Sequence, residues 1–195
     1  AQVRGIVHTP ADPAWSAAAR AANSFGQGIS VSALQLCDAV AAIVNGGNLL
    51  VPYLVQDVWS NGAATVTQPT VRRRVIAEQT AATLRGMMQA VDRAYPTAHI
   101  PGYTAGVKSG TAYVATDAGS GGNAYAAETT IPSFIGFAPF THPRVLIYVK
   151  LDNLHTNDLG GTVGAPMFAH LASEILPYLD VAPDVPQERT AGAGG

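Results

Sequence analysis

Four consecutive residues, Lys108-Ser109-Gly110-Thr111, place an ammonium, two hydroxyls and a glycine on one short run. A K-[ST]-G triplet arises by chance in about one chain in ten of this length on ordinary residue usage, so its meaning rests on its surroundings. Nine of the eleven basic residues are arginine, and Lys108 and Lys150 are the only lysines. A lysine in a chain that otherwise uses arginine suits a place that needs a compact ammonium rather than a planar fork. Two other groupings invite chemistry. Ala22-Asn23-Ser24-Phe25-Gly26 is an A-x-S-x-G variant of the nucleophile elbow of a serine hydrolase, with His155 and Asp158 as triad partners. An elbow needs a strand before the serine and a helix directly after it; here the preceding stretch reads as loop or helix and the next helix starts several residues later. His142, Asp152, His155 and Asp158 are metal-ligand types, but no pair has the compact spacing of a zinc site, so no metal site is assigned.

The elements around the lysine run follow from periodicity and punctuation. Residues 105–114, 133–138 and 144–151 are β-type runs, and the short turn between the last two makes them antiparallel neighbours. The first two are separated by TDAGSGGNAYAAETT, which reads as a mobile surface loop. A helix is predicted over 32–45, with Leu36, Val40, Ile43 and Val44 on one face, Ser30 or Ser32 as N-cap and Gly46 as the stop. Cys37, the only cysteine, falls among these apolar positions and reads as a buried thiol. Residues 49–74 mix short strands around the turn signal Ser60-Asn61-Gly62. Arg72-Arg73-Arg74 reads as a solvated surface. A second helix is predicted over 77–94, with Leu84, Met87, Met88 and Val91 on one face. A last helix follows GGTVGAP, with Pro166 near its first turn and Phe168, Leu171, Ile175, Leu176 and Leu179 on one face. Before residue 23 the chain is loop with a short helical piece over 15–22. Beyond Asp180 it has little to bury, and a poorly ordered tail over 181–195 is expected.

Bulk composition narrows the classes. With 195 residues, 48% hydrophobic and 12% charged, the chain can close a sizeable core. A net charge of -2 leaves no broad basic surface for a phosphate backbone, so no nucleic-acid partner is expected. No apolar run approaches the roughly 20 residues that cross a bilayer.

Taken together, SFGQG at 24–28, the helix ISVSALQLCDAVAAIVNGG, then KSGTA, SFIGFAP, a strand and GGTVGAPMF resemble the class B penicillin-binding proteins in order and approximate spacing, from about Arg4 to Leu179. The resemblance implies an α/β-layered (α+β) transpeptidase fold, an antiparallel sheet with helices on its faces, and no cofactor. It implies a serine acylated by a D-alanyl-D-alanine stem peptide of peptidoglycan or by a β-lactam that mimics it. Carried onto this chain, Lys108 supplies positive charge beside the substrate carboxylate and the site's proton network, and Ser109 and Thr111 donate hydroxyl hydrogen bonds to that carboxylate. Gly110 lets the acyl group approach the strand. The backbone N–H of Thr111 is one of two oxyanion-hole donors.

The chain departs from that pattern in one respect: S-x-x-K and S-x-N, which complete the family's site, are absent. Ala105 and Ile147 stand three residues before the two lysines, and no Ser or Tyr has Asn two positions later. In the family both motifs lie upstream, so the expectation is that residues 1–180 are the C-terminal part of one transpeptidase domain, lacking the first two sheet strands and the nucleophile helix. Such a piece is expected to be inactive alone, to expose an apolar face or edge, and to self-associate or meet the missing half of the domain. The resemblance further implies a parent on the outer face of the cell membrane, held by an N-terminal anchor. The non-enzyme alternative is a catalytically dead, penicillin-binding-protein-like module that contacts peptidoglycan or partner proteins.

Overall fold

The computed structural model describes residues 5–116, 124–152, 154 and 158–185. The chain divides into two units, Ala1–Ala77 and Glu78–Gly195.

The first unit is organised by local chemistry. Helix α1 (Ala17–Asn23) is capped by Ser16, whose hydroxyl accepts from the Ala19 N–H at 3.0 Å. Helix α2 (Ala33–Val44) begins in a capping box: Ser32 Oγ accepts from the Gln35 N–H, and Gln35 Oε1 accepts from the Ser32 N–H. It ends in a Schellman turn. Gly46, at φ 82°, and Gly47 donate to the carbonyls of Ile43 and Ala42, which satisfies two end carbonyls. Strand β1 (Asn48–Leu50) pairs with β4 (Val71–Arg74), and β2 (Asp57–Ser60) pairs with β3 (Ala63–Val66), all antiparallel. The β2–β3 loop is Asn61-Gly62 with positive φ at both residues, the two-residue turn that Asn-Gly favours. Arg72, Arg73 and Arg74 are exposed, and Arg74 also donates to the Gly46 carbonyl at the C-terminal end of α2, where a cation is favourable. Cys37, expected in the core, is only half-buried, because α2 buries just Val40 and Ala42. Its thiol is nonetheless pushed up, by burial first and by Asp38 second.

The second unit is built on long-range packing. Helix α3 (Glu78–Asp92) leads through a 3-10 turn (Pro96–Ala98) into a three-stranded antiparallel sheet. The sheet contains β5 (Gly106–Thr116), β6 (Ala124–Ala138) and β7 (Val145–Lys150), in that spatial order. Helix α4 (Gly160–Tyr178) lies on one sheet face with an i, i+4 ladder of buried residues: Gly160, Gly164, Phe168, Ala172 and Leu176. Small and large residues interlock there. A β-carbon on Gly164 would meet Phe134 at 2.5 Å, and one on Gly136 would meet the Phe168 ring at 2.6 Å. Helix α3 packs along β5 from the other side, where Met88 and the Phe137 ring close over Gly106.

Several expectations are corrected here. Residues 124–130 are not loop but the first half of β6, paired with β5 across Thr116↔Ala124 and Ala115↔Tyr125; the segment 117–123 lies outside the described residues. GGTVGAP does not precede the last helix but forms its first two turns, so Pro166 is the seventh helical residue. Leu171 and Leu179 are exposed rather than on the buried face, and Met87 is exposed while Met88 is core, because small residues (Gly164, Ala172, Ala81) occupy the contact lines. Residues 181–185 are held in place. Val181 is buried and its carbonyl accepts from Tyr103 Oη at 2.6 Å, while Asp184 accepts from the Thr104 N–H, the Thr104 hydroxyl and the Thr141 hydroxyl. Residues 186–195 lie outside the described residues.

Candidate functional site

Strand β5 carries Lys108-Ser109-Gly110-Thr111 opposite Ile135, Phe134, Ser133 and Pro132 of β6. The direction of each backbone group follows from the neighbouring ladder. The Pro132 carbonyl accepts from Leu151 on the β7 side, and in a strand a residue's N–H and C=O point the same way. Pro132 and Phe134 therefore spend their backbone groups toward β7, whereas Ser133 and Ile135 bond to β5. Gly110 and Lys108 are the β5 partners of those bonds. Ser109 and Thr111 then turn their N–H and C=O away from the sheet. Among the described residues no strand pairs with that edge. The Lys108 side chain folds along the same edge, its Nζ donating to the outward Ser109 carbonyl at 2.5 Å, and the residue is exposed.

The side chains of Val107, Ser109 and Thr111 face α4, as the contact of Val107 with the position of the Gly136 β-carbon requires. Thr111 Oγ1 accepts from the Gly160 N–H at 3.0 Å, at the first residue of α4. Ser109 Oγ lies 2.8 Å from Tyr95 Oη. Gly160 rests directly on the strand: a β-carbon there would overlap the carbonyl oxygens of Gly110 and Ser133. Gly110 has its own reason to be glycine, since a β-carbon would lie 2.7 Å from Ser133 Oγ. The arrangement is a strand edge offering the outward Thr111 N–H, an ammonium and two oriented hydroxyls, a set suited to an anionic group and to an oxygen that gains negative charge.

Tyr95, Gly160 and Gly161 belong to this arrangement and the sequence reading passed over them. Gly160-Gly161 carried a signal, since paired glycines at a helix start permit backbone contact. Tyr95 carried none, standing fourteen residues before Ser109.

Of the other candidates, Ser24 directly follows α1 and its hydroxyl donates to the Ala21 carbonyl, a helix-end bond with no strand before it. Asp152 pairs with Lys150, His142 is exposed, Asp158 is half-buried and His155 lies outside the described residues. Among the described residues no group of three or more His, Cys, Asp or Glu is placed to hold a metal ion.

Comparison with known proteins adds to this geometry. Residues 5–173 match the family described as penicillin binding protein transpeptidase domain. The chain is 36% identical over 171 residues to stage V sporulation protein D of Bacillus subtilis, covering 84% of this chain and 26% of that protein. It is 30% identical over 190 residues to the probable peptidoglycan D,D-transpeptidase PbpC of Pseudomonas aeruginosa, covering 95% and 31%. Penicillin binding protein 3 of Mycobacterium tuberculosis, solved in complex with ampicillin, superposes with a TM-score of 0.72 at 28% identity, covering 90% of this chain and 41% of that one. The chain thus spans less than a third of the length of these two curated relatives. An antiparallel sheet with helices on its faces, an open edge bearing K-S-G-T and a match over most of the sequence lead to one assignment: this chain belongs to the penicillin-binding-protein transpeptidase family.

Proposed function

We propose that residues 1–180 are the C-terminal part of one peptidoglycan D,D-transpeptidase domain of the class B type, closed by the anchored residues 181–185, and that the β5 edge receives the D-alanyl-D-alanine end of a stem peptide or a β-lactam of similar shape. The observation that carries this reading is the outward direction of the Thr111 backbone at an edge also occupied by Lys108 Nζ. In this reading a serine supplied by the S-x-x-K segment of the parent attacks the penultimate D-alanyl carbonyl. The Thr111 N–H stabilises the oxyanion, the peptide C–N bond breaks, and the terminal D-alanine leaves with a proton on its amine. Lys108 supplies charge beside the substrate carboxylate, Ser109 and Thr111 donate to it, and Gly110 leaves room for the acyl group. The resulting ester is then resolved by the amine of a second stem peptide, which forms the cross-link.

The absence of S-x-x-K and S-x-N from this sequence supports the further reading that the nucleophile lies in parent sequence upstream of these residues. The isolated chain is then inactive, and its exposed apolar surface pairs with the rest of the domain or with another copy. Among the described residues no helix is long and apolar enough to cross a membrane, and the anchoring of the parent at the outer face of the cell membrane is assigned to that same upstream sequence. Fluorescent penicillin tests the reading. We expect covalent label on an extended chain carrying both upstream motifs and none on these 195 residues; stoichiometric label on the short chain would place the nucleophile within it.

A further inference from the structure

The two hydroxyls of the edge are each met from behind by a second group. Behind Thr111 that group is the Gly160 N–H, which can only donate. Thr111 Oγ1 therefore accepts and keeps its own proton for a further acceptor. Behind Ser109 it is the Tyr95 hydroxyl, and the 2.8 Å contact allows either direction.

The supply of acceptors and the relative acidity of the two hydroxyls decide the direction. Among the described residues Tyr95 Oη has no other hydrogen-bond partner, and the residue is half-buried. If it accepted from Ser109, its own proton would have no protein acceptor among the described residues. If it donates, the proton left over is that of Ser109, at the open strand edge where a bound carboxylate would take it, and a phenol is the stronger acid of the two hydroxyls. The ring is also held in place. It meets Phe134 edge-on at 5.5 Å and 89°, Phe134 is fully buried, and a β-carbon on Gly161 would overlap the ring at Cε1.

We propose that Tyr95 is a positioning residue that donates into Ser109 Oγ, so that Ser109, like Thr111, turns its proton outward and the edge presents a carboxylate with a matched pair of hydroxyl donors. This rests on the carboxylate-binding reading of β5 given above. Tyr95 touches no substrate; it acts by fixing the rotor of a residue that does, which lowers the ordering cost of binding.

The test uses the full parent chain with its upstream motifs, a penicillin and its methyl ester, and time-resolved acylation that separates the dissociation constant of the first complex from the acylation rate constant. Tyr95→Phe keeps the ring packing and removes the donor, so an unchanged melting temperature is expected. The free penicillin should bind about two- to tenfold more weakly, with little change in the acylation rate constant and none in the handling of the ester. Ser109→Ala should weaken the penicillin complex by about ten- to a hundredfold, as for a hydrogen bond to a charged group. Adding Tyr95→Phe to Ser109→Ala should then change nothing further. If Ser109→Ala impairs the penicillin complex and Tyr95→Phe does not, the Tyr95 inference alone falls. If Ser109→Ala has no effect, the carboxylate-binding reading falls and takes this inference with it. Equal losses for penicillin and ester, or an additive loss in the double variant, would make Tyr95 a general packing residue and overturn its positioning role.

Discussion

Between residues 78 and 185, Ile100, Val107, Pro132, Phe134, Phe137, Phe168 and Leu176 are less than 2% exposed; between residues 5 and 77 the buried apolar side chains are Val40 and Ala42, and Phe25 and Trp59 are 73% and 71% exposed. The same chain therefore reaches order in two ways. The 5–77 region relies on a capping box, a Schellman turn and an Asn-Gly hairpin, each closed within a few residues. The 78–185 region relies on contacts far apart in sequence, such as Phe134 with Phe168 at 5.6 Å and Gly160 on Gly110. The residues proposed to do chemistry stand on the second kind of scaffold. A site needs its groups held to a fraction of an ångström, and interlocked packing supplies that where isolated turns do not.

Truncation of a ring in the packed region should cost the most stability. Phe168 fits against Phe134 and closes over Gly136, so Phe168→Ala leaves a cavity bounded by a fully buried ring and a glycine with no side chain to fill it. A loss of about 3–5 kcal/mol is expected, as for other buried aromatic truncations. Thermal unfolding followed by near-ultraviolet dichroism is the check. A loss below about 1 kcal/mol would mean that the region tolerates loose packing and that the two regions differ in burial only.

The same contrast explains what could be read from the sequence. The α2 cap and stop, the Asn61-Gly62 hairpin and the strand that carries the lysine run were legible because each is signalled within a few residues. The first half of β6 was not: Ala, Thr and Gly dominate 116–130, and only pairing with β5 makes 124–130 a strand. The sequence pattern starts the last helix after GGTVGAP because glycines are poor helix formers, whereas here Gly160 and Gly164 are needed inside α4 for contact with the sheet. The anchoring of Val181 and Asp184 to residues some eighty positions earlier, and the partnership of Tyr95 with Ser109, are products of topology that no local pattern announces.

Loss of a helix cap in the 5–77 region should cost less. Ser32→Ala removes one half of the capping box, and with little core to compensate, α2 should lose about 1 kcal/mol. Hydrogen exchange at the amides of Leu34, Gln35 and Leu36 would read this directly, while the amides of β5 and β6 should stay protected. Equal acceleration in both regions would mean that they unfold together and that the division of the chain has no energetic counterpart.

The smallest expected effect concerns a place where the packed region uses polar contacts instead of apolar ones. Burial pushes the Asp184 carboxyl up, but the hydrogen bonds from Thr104 and Thr141 together outweigh it and leave the group below its ordinary value of 3.8. A carboxyl lowered on folding stabilises the folded state fully above its unfolded value, and that contribution fades as pH falls through the lowered folded value. Asp92 acts in the opposite sense: burial is the larger influence and raises it, with His99 lowering it less, so its contribution is present at acid pH and is lost as pH rises through the raised value. The Asp184 contribution is isolated by comparing melting temperatures of the unaltered chain and Asp184→Asn between about pH 6 and pH 3. The gap should be widest near pH 6 and should shrink on acidification, because only the unaltered chain loses a charged acceptor for the Thr104 N–H. The gap should also be modest, since Asp184 is partly exposed and its bonds are screened. A gap that does not change with pH would show that residues 181–185 are held by the packing of Val181, its bond from Tyr103 and the backbone bonds to the Gly102 carbonyl, and the carboxylate contacts would then be a consequence of that anchoring rather than a cause of it.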